Sequence, residues 1–371
     1  MAKARRVGVI VPLGEEFEYV REALRPSRAE VVDGDQYHGF DLPAGSVTGF
    51  FRVLSDMGQA QAALTADRMI NRLGVSLLVV IGTGAGLDGD VRVGDVVVAD
   101  QIQEHLRKAK VVPAAGGSGV TFERAAESWR ANARLVDHVR NFGWLSSGEA
   151  ALNRWRKNAV DRRPGGGTAA VPPRVHVGPV ATGDVVVAAG AFARWIREAN
   201  RKFVALDMEA GGAALAAYRN ESADLLVIRG ISDHADEHKR EWDGGHGTVR
   251  EPNAWRRYAV RNAVEYLVIL LSSAGFPWRD ARAAGTEARS RVSAARRIAQ
   301  SASLAEVAVE LISDQLAHPD TQYEAHGPAL DQHDADQHDA DQYDADQHDA
   351  DRYETGEQDH DVHPYDGTGD L

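Results

Sequence analysis

Asp207-Met208-Glu209-Ala210, then a run of small residues to Tyr218, then Leu225-Leu226-Val227-Ile228-Arg229-Gly230-Ile231-Ser232-Asp233, is the stretch whose reading decides the fold. Leu225 to Ile231 is an apolar, partly β-branched run of the kind found in buried strands. The alanine-rich segment from Ala210 to Tyr218 suits a helix packed closely on a sheet, although Gly211 and Gly212 weaken it. Two acids then fall at special places. Glu209 lies where a helix begins, and Asp233 lies just past the carboxyl end of a buried strand. Ligands of open α/β sheets bind at that end. A carboxyl group there, partly shielded from water, is expected to hold a proton near neutral pH. The plainer reading gives Glu209 to the helix dipole and Asp233 to a turn. Upstream segments shift the balance.

Val7-Gly8-Val9-Ile10-Val11 reads as a short strand, Pro12-Leu13-Gly14 as a turn, and Glu15 as the start of a helix with Phe17, Val20 and Leu24 on one face. Glu15 and Glu16 therefore sit at the carboxyl end of the first strand. Residues 31–56 read as one or two strands with a hairpin near Pro43-Ala44-Gly45. A helix follows Met57-Gly58-Gln59-Ala60 and ends at Leu73-Gly74, where Gly74 suits a C-cap. Val75 to Ile81 is a buried strand, and Gly82-Thr83-Gly84-Ala85-Gly86-Leu87 follows as a loop. A dinucleotide fingerprint needs a helix directly after its glycines. Here Asp88-Gly89-Asp90 turns the chain into another strand ending at Val98, so that reading fails. The strand–helix order implies an α/β domain.

Farther on, Ala125 to Trp144 reads as an amphipathic helix carrying Trp129, Leu135, Val136, Val139 and Phe142. Arg154-Trp155-Arg156-Lys157 is basic, and Pro164-Gly165-Gly166-Gly167 is a loop. Arg174 to Val180 is a strand, followed by Ala181-Thr182-Gly183-Asp184-Val185-Val186-Val187, in which Asp184 is read as a turn residue. Trp255 to Leu271 is a closing amphipathic helix. Residues 278–316 are Ala- and Arg-rich and read as helical. After them comes a five-residue repeat, Asp-Gln-His-Asp-Ala. It buries almost no apolar surface and is expected to be disordered.

The chain has 371 residues and no cysteine, which excludes disulfides and thiol chemistry. The net charge of −13 belongs to the tail. Residues 319–371 hold 17 acids and one base, which leaves the first 318 residues at a net +3. Neither part has a basic face with interleaved aromatics, so no nucleic-acid partner is expected. The apolar run near the start stops at Leu13, too short to cross a membrane. A cytoplasmic protein with no membrane partner is expected. His234, His238, His246 and Asp236 have no regular spacing, so no metal is expected.

Together, Asp207-Met208-Glu209-Ala210, Arg229-Gly230-Ile231-Ser232-Asp233, Gly82-Thr83-Gly84-Ala85-Gly86-Leu87 and Ala181 to Val187 resemble the purine nucleoside phosphorylase/uridine phosphorylase superfamily. The resemblance is closest to its methylthioadenosine/S-adenosylhomocysteine nucleosidase branch. It covers residues 5–272, leaving 273–318 as a helical extension and 319–371 as the tail. It implies a mixed central β-sheet flanked by helices, no cofactor, and a homodimer that takes a small purine nucleoside.

The implied catalytic residues are Glu16, which activates water, and Asp233, which protonates the purine. The implied substrate-binding residues are Thr83, Gly84, Val187, Met208, Glu209 and Ser232. The main chain at Val187 reads the base, Glu209 binds the ribose hydroxyls and Met208 packs under the sugar. Phosphorylases of the superfamily carry an arginine before the glycine loop. Val80 and Ile81 stand there instead, so hydrolysis is expected in place of phosphorolysis. The alternatives are a nucleosidase effector that cleaves adenine nucleotides such as ATP, and a nucleoside sensor without turnover.

Overall fold

The structure, a computed structural model, describes residues 5–279 except 43–46, 107, 115–118, 126, 166–170, 245–250 and 252. The tail and residues 280–318 of the expected helical extension lie outside the described residues, as do Gly166-Gly167, His246 and the expected hairpin tip at 43–46.

The first half runs β1 (Arg5–Val11), α1 (Gly14–Leu24), β2 (Arg28–Val32), β3 (Asp35–Asp41), β4 (Val47–Val53), α2 (Gln59–Leu73), β5 (Leu77–Gly86) and β6 (Val96–Glu104). Then come β7 (Lys110–Pro113), β8 (Val120–Glu123), β9 (Ser128–Arg130), α3 (Ala133–Asn141), a short 3₁₀ turn and α4 (Ser146–Asp161). The chain continues through β10 (Val175–Thr182), α5 (Gly190–Ala199), β11 (Ala205–Asp207), α6 (Ala210–Asn220), β12 (Asp224–Asp233), α7 (Lys239–Gly244) and α8 (Ala254–Leu271).

The main sheet has the order β11-β10-β6-β12-β5-β1-β4-β3-β2, with β9 on β6. It is mixed, as expected: β1 runs parallel to β4 and β5, whereas β12 meets β6 antiparallel. An added antiparallel pairing of β11 with β5 closes the path β11-β10-β6-β12-β5 on itself. One side of the sheet is therefore a small distorted barrel, and the rest is an open wing.

Alternation along the central strands divides the core. Leu77, Val79, Ile81, Leu226 and Ile228 face the layer that includes Val20 of α1 and Val264 and Leu267 of α8. Leu78, Val80, Leu225 and Val227 face Ala62, Ala66 and Met69 of α2 and Ala213, Ala214 and Ala217 of α6. Burying each such aliphatic side chain contributes about 1.5–3 kcal/mol before chain entropy is counted. The alanines let α6 lie close on its neighbours. A Cβ on Gly212 would stand 1.9 Å from the Gln59 carbonyl oxygen at the start of α2. The glycines that weaken α6 as an isolated helix are thus where it meets α2.

Several expectations need correction. Residues 31–56 lie within three strands, not one or two, because β3 pairs on both sides, with β2 and β4. The glycine stretch Gly82–Gly86 is the continuation of β5, not a loop. Its backbone is held by β12 on one side and β11 on the other. The helix expected over 125–144 begins only at Ala133, after Asn132, whose side chain accepts the Arg134 N–H as an N-cap. Upstream, Trp129 sits in β9, whose backbone pairs with β6. The basic run 154–157 lies on α4, a helix that packs on α8. Residues 273–279 carry no helix. Phe276 and Trp278 pack on the core there, with the Arg5 guanidinium over the Trp278 ring.

Candidate active site

The carboxyl ends of β1, β5 and β12 meet at one edge of the sheet, beside β11, which runs antiparallel to β5. A cavity of about 330 Å³ opens there. Glu16, Thr83, Gly84, Val187, Met208, Glu209, Ser232 and Asp233 all line it, so every residue singled out from the sequence is brought to one place. A larger groove of about 450 Å³ lies between α1, α4 and α8. Its acids Glu22 and Glu265 are already paired with Arg261 and Arg162, so it offers no comparable constellation.

Glu16 is positioned by the turn that ends β1. It sits in the first turn of α1, 1% exposed. Its carboxylate accepts the Leu13 N–H at 3.2 Å, the Thr83 N–H at 2.6 Å and the Thr83 hydroxyl at 2.7 Å. Burial raises its pKa above the ordinary value, against the pull of the Thr83 donors and of Arg229. A Cβ at Gly82 would lie 2.7 Å from Glu16 Oε2 and 2.9 Å from an Arg229 guanidinium nitrogen. Gly82 is thus required by the charged side chains that crowd β5.

Glu209 occupies the position just before α6, but its side chain does not cap that helix. Its Oε1 accepts the Gly58 N–H at 3.3 Å, and its Oε2 accepts from Arg229 at 3.1 Å. Burial pushes its pKa up to about 7; the Arg229 charge opposes this, while Asp207 and Glu16 add to it. The helix-capping task falls to Asp207, whose carboxylate accepts the Ala210 N–H.

Arg229 is the residue that the sequence reading passed over. It is 1% exposed in the middle of the apolar β12 run, donates to Asp207 and Glu209, and reaches the Thr83 carbonyl at 3.3 Å. The signal was present, since a cation inside a buried strand must find buried counter-ions. Asp207 and Glu209 lie two positions apart in the same quoted stretch.

Asp233 is 2% exposed at the end of β12. Its carboxylate accepts the Ser232 hydroxyl at 2.9 Å, the Ala235 N–H at 3.0 Å and the Lys239 ammonium at 2.7 Å. The sequence reading expected shielding from water alone to govern this group. The fold adds a cation from α7.

Near the cavity, Asp184 accepts the Gln59 N–H at 2.7 Å and ties the turn after β10 to the start of α2. His105 donates from Nδ1 to the Thr182 carbonyl, and its ring lies against Gly183. Val186 is 62% exposed, whereas Val187 is buried. Glu15, at the start of α1, pairs with Arg256 at the start of α8.

The model of the Phosphorylase superfamily matches residues 6–272. This chain belongs to that superfamily. A methylthioadenosine/S-adenosylhomocysteine nucleosidase of Mycobacterium bovis is 26% identical over 240 residues, covering 62% of this chain and 86% of that protein. A death domain-containing ATP nucleosidase of Amphimedon queenslandica is 26% identical over 266 residues, covering 68% of this chain and 46% of its own length. The solved methylthioadenosine/S-adenosylhomocysteine nucleosidase of Neisseria meningitidis superposes with a TM-score of 0.51 at 19% identity, covering 72% of this chain and 98% of that one. This member of the superfamily therefore has that fold, and its relatives support a nucleosidase function.

Among the described residues no group of three or more His, Cys, Asp or Glu is placed to hold a metal ion. No described helix is long and apolar enough to cross a membrane.

Proposed function

We propose that the protein hydrolyses the N-glycosidic bond of an adenine nucleoside of the methylthioadenosine or S-adenosylhomocysteine type. The observation that carries this reading is the convergence of Glu16, Glu209 and Asp233 on one cavity. Asp233 passes a proton to the purine ring nitrogen that faces it, and the bond to the sugar breaks as the base takes its electron pair. Glu209 holds the ribose hydroxyls and interacts more strongly as the sugar becomes cationic. Glu16 orients a water with the help of Thr83 and takes its proton during attack on the anomeric carbon. Each acid–base role is worth about 10²–10⁴ in rate. Val187 supplies main-chain contacts to the base, Met208 a floor under the sugar, and Leu13 and Met57 an apolar wall.

Water is preferred to phosphate on electrostatic grounds. Val80 is packed into the core beside α2 and α6 and brings no cation to the cavity. The lining holds Glu16, Asp207, Glu209, Asp233 and Asp243 against Arg229, Lys239 and Arg256, and Arg229 is already paired with two of those acids. Such a surface repels a phosphate dianion. A second reading, supported by the ATP nucleosidase among the relatives, is an adenine nucleotide such as ATP as the substrate. The exposed apolar Met57 and Val186 on the rim fit the homodimer that the family resemblance implied.

The test is release of free adenine from methylthioadenosine, S-adenosylhomocysteine, adenosine and ATP, each with and without inorganic phosphate. Phosphate-independent release from the thio-nucleosides is expected. Release from ATP alone supports the second reading, and saturable binding without release supports a sensor. Asp233→Asn is expected to lower turnover by at least about 10²-fold while the substrate still binds. Unchanged turnover in that variant removes the assignment.

A further inference from the structure

We propose that Lys239 is a positioning residue that supplies Asp233 with the proton it gives to the leaving purine. This rests on the nucleosidase reading above. Every hydrogen bond described at the Asp233 carboxyl is one that it accepts: from Lys239, Ser232 and the Ala235 N–H. That is the bonding pattern of an ionised carboxylate, which has nothing to donate. A group that must protonate a purine therefore needs a proton brought to it.

Lys239 is the described cation paired with Asp233, at 2.7 Å. It projects from α7 into the same cavity. Its side chain is 20% exposed while Asp233 is 2% exposed, so Lys239 touches both the sealed acid and the solvent. Arg229 is turned instead to Asp207 and Glu209. The other charged groups facing the pair are Asp243 of α7, Arg256 of α8, Glu16 of α1 and Glu209 before α6. His234 follows Asp233 in the chain and packs its ring on Trp242.

The step balances as follows. As the bond between sugar and purine breaks, its electron pair moves into the base. An N–H bond of Lys239 breaks to give Asp233 an O–H, and that proton passes on to a ring nitrogen, which returns Asp233 to the carboxylate. Water adds to the sugar and gives its proton to Glu16. Lys239 then regains a proton from solvent, and Glu16 releases one to it, so no proton is gained or lost over the cycle.

The test compares Lys239→Met with the wild type on a purine nucleoside and on p-nitrophenyl β-ribofuranoside, whose leaving group needs no proton. On the nucleoside, kcat is expected to fall by about 10²-fold with KM little changed. The alkaline limb of its pH profile is expected to move to lower pH. On the p-nitrophenyl substrate, the rate is expected to stay within about threefold of wild type. Lys239→Arg keeps the charge but cannot release a proton, so it is not expected to restore the rate. Lys239→Gln replaces the Met variant if the latter melts below the assay temperature.

Wild-type kcat and pH profile in Lys239→Met overturns the proposal. So does equal slowing of both substrates in a variant that melts like wild type, or rescue by arginine. If the wild type releases no base from any nucleoside, the nucleosidase reading fails first and takes this one with it.

Discussion

Glu209 shows how a single side chain couples the site to stability. Burial lifts its pKa from 4.5 to about 7. The folded chain therefore binds this proton more tightly than the unfolded chain does. The corresponding stability is fully present below pH 4.5 and is lost as the pH rises through about 7. A gap of that size corresponds to about 3 kcal/mol. Glu209→Gln removes the ionisation. The variant is expected to be more stable than wild type at pH 8, by up to about 3 kcal/mol, and equal to it at pH 4. Urea titrations at the two pH values check this, and an identical difference at both would show that the Glu209 pKa is not raised by folding. On the proposed role of Glu209 in holding the ribose hydroxyls, the same variant is expected to lose activity while its stability at pH 8 rises. At this scale the acids were legible because of where they stand, at a helix start and at strand ends. Arg229 was not credited, because a reading that looks for apolar runs treats a charge inside one as an interruption.

At the scale of elements, the glycines of β12 and α6 set how closely the layers approach. A Cβ on Gly230 would lie 2.0 Å from the Ala259 carbonyl oxygen, in the backbone of α8. Backbone cannot turn away as a side chain can. Gly230→Ala is therefore expected to lower the unfolding free energy by about 1–3 kcal/mol or more. It also pushes α8 off the strand that carries Arg229 and Asp233, so catalytic efficiency falls with it. Gly89→Ala, which meets nothing within 4 Å, serves as the control and is expected to stay within about 0.5 kcal/mol of wild type. Chemical denaturation followed by circular dichroism measures both. Equal effects at the two positions would rule out the close-approach argument. Most elements were legible from periodicity, including α1, α2, β12 and α8. The misses share one cause. Residues 128–130 and Gly82–Gly86 are strands because a partner strand holds their backbone, and the partner is remote in sequence. Local pattern cannot register a hydrogen bond to a distant segment.

For the whole molecule, the superfamily model matches residues 6–272, a stretch that takes in every described element through α8. The net charge of the chain comes from residues beyond it. A chain ending at Ser301 keeps every described element and every residue lining the cavity. The adenine release proposed above and the melting temperature are expected to match those of the full chain, with the release rate within about twofold. A large loss of either would assign residues 302–371 a part in the folded enzyme.

The sequence by itself determined the α/β class, the identity of the acids and the family to which the chain belongs. Those follow from local periodicity and from residue types at element ends, which need no knowledge of distant contacts. Tertiary structure alone decided that the glycine stretch is a strand, that β11 closes the sheet onto β5, and that Arg229 and Lys239 sit among the acids. Each of these depends on which remote segments share a hydrogen bond or a counter-ion. Such pairings are chosen by the packing of the whole chain, because a buried charge or backbone group is tolerated only where the fold brings it a partner.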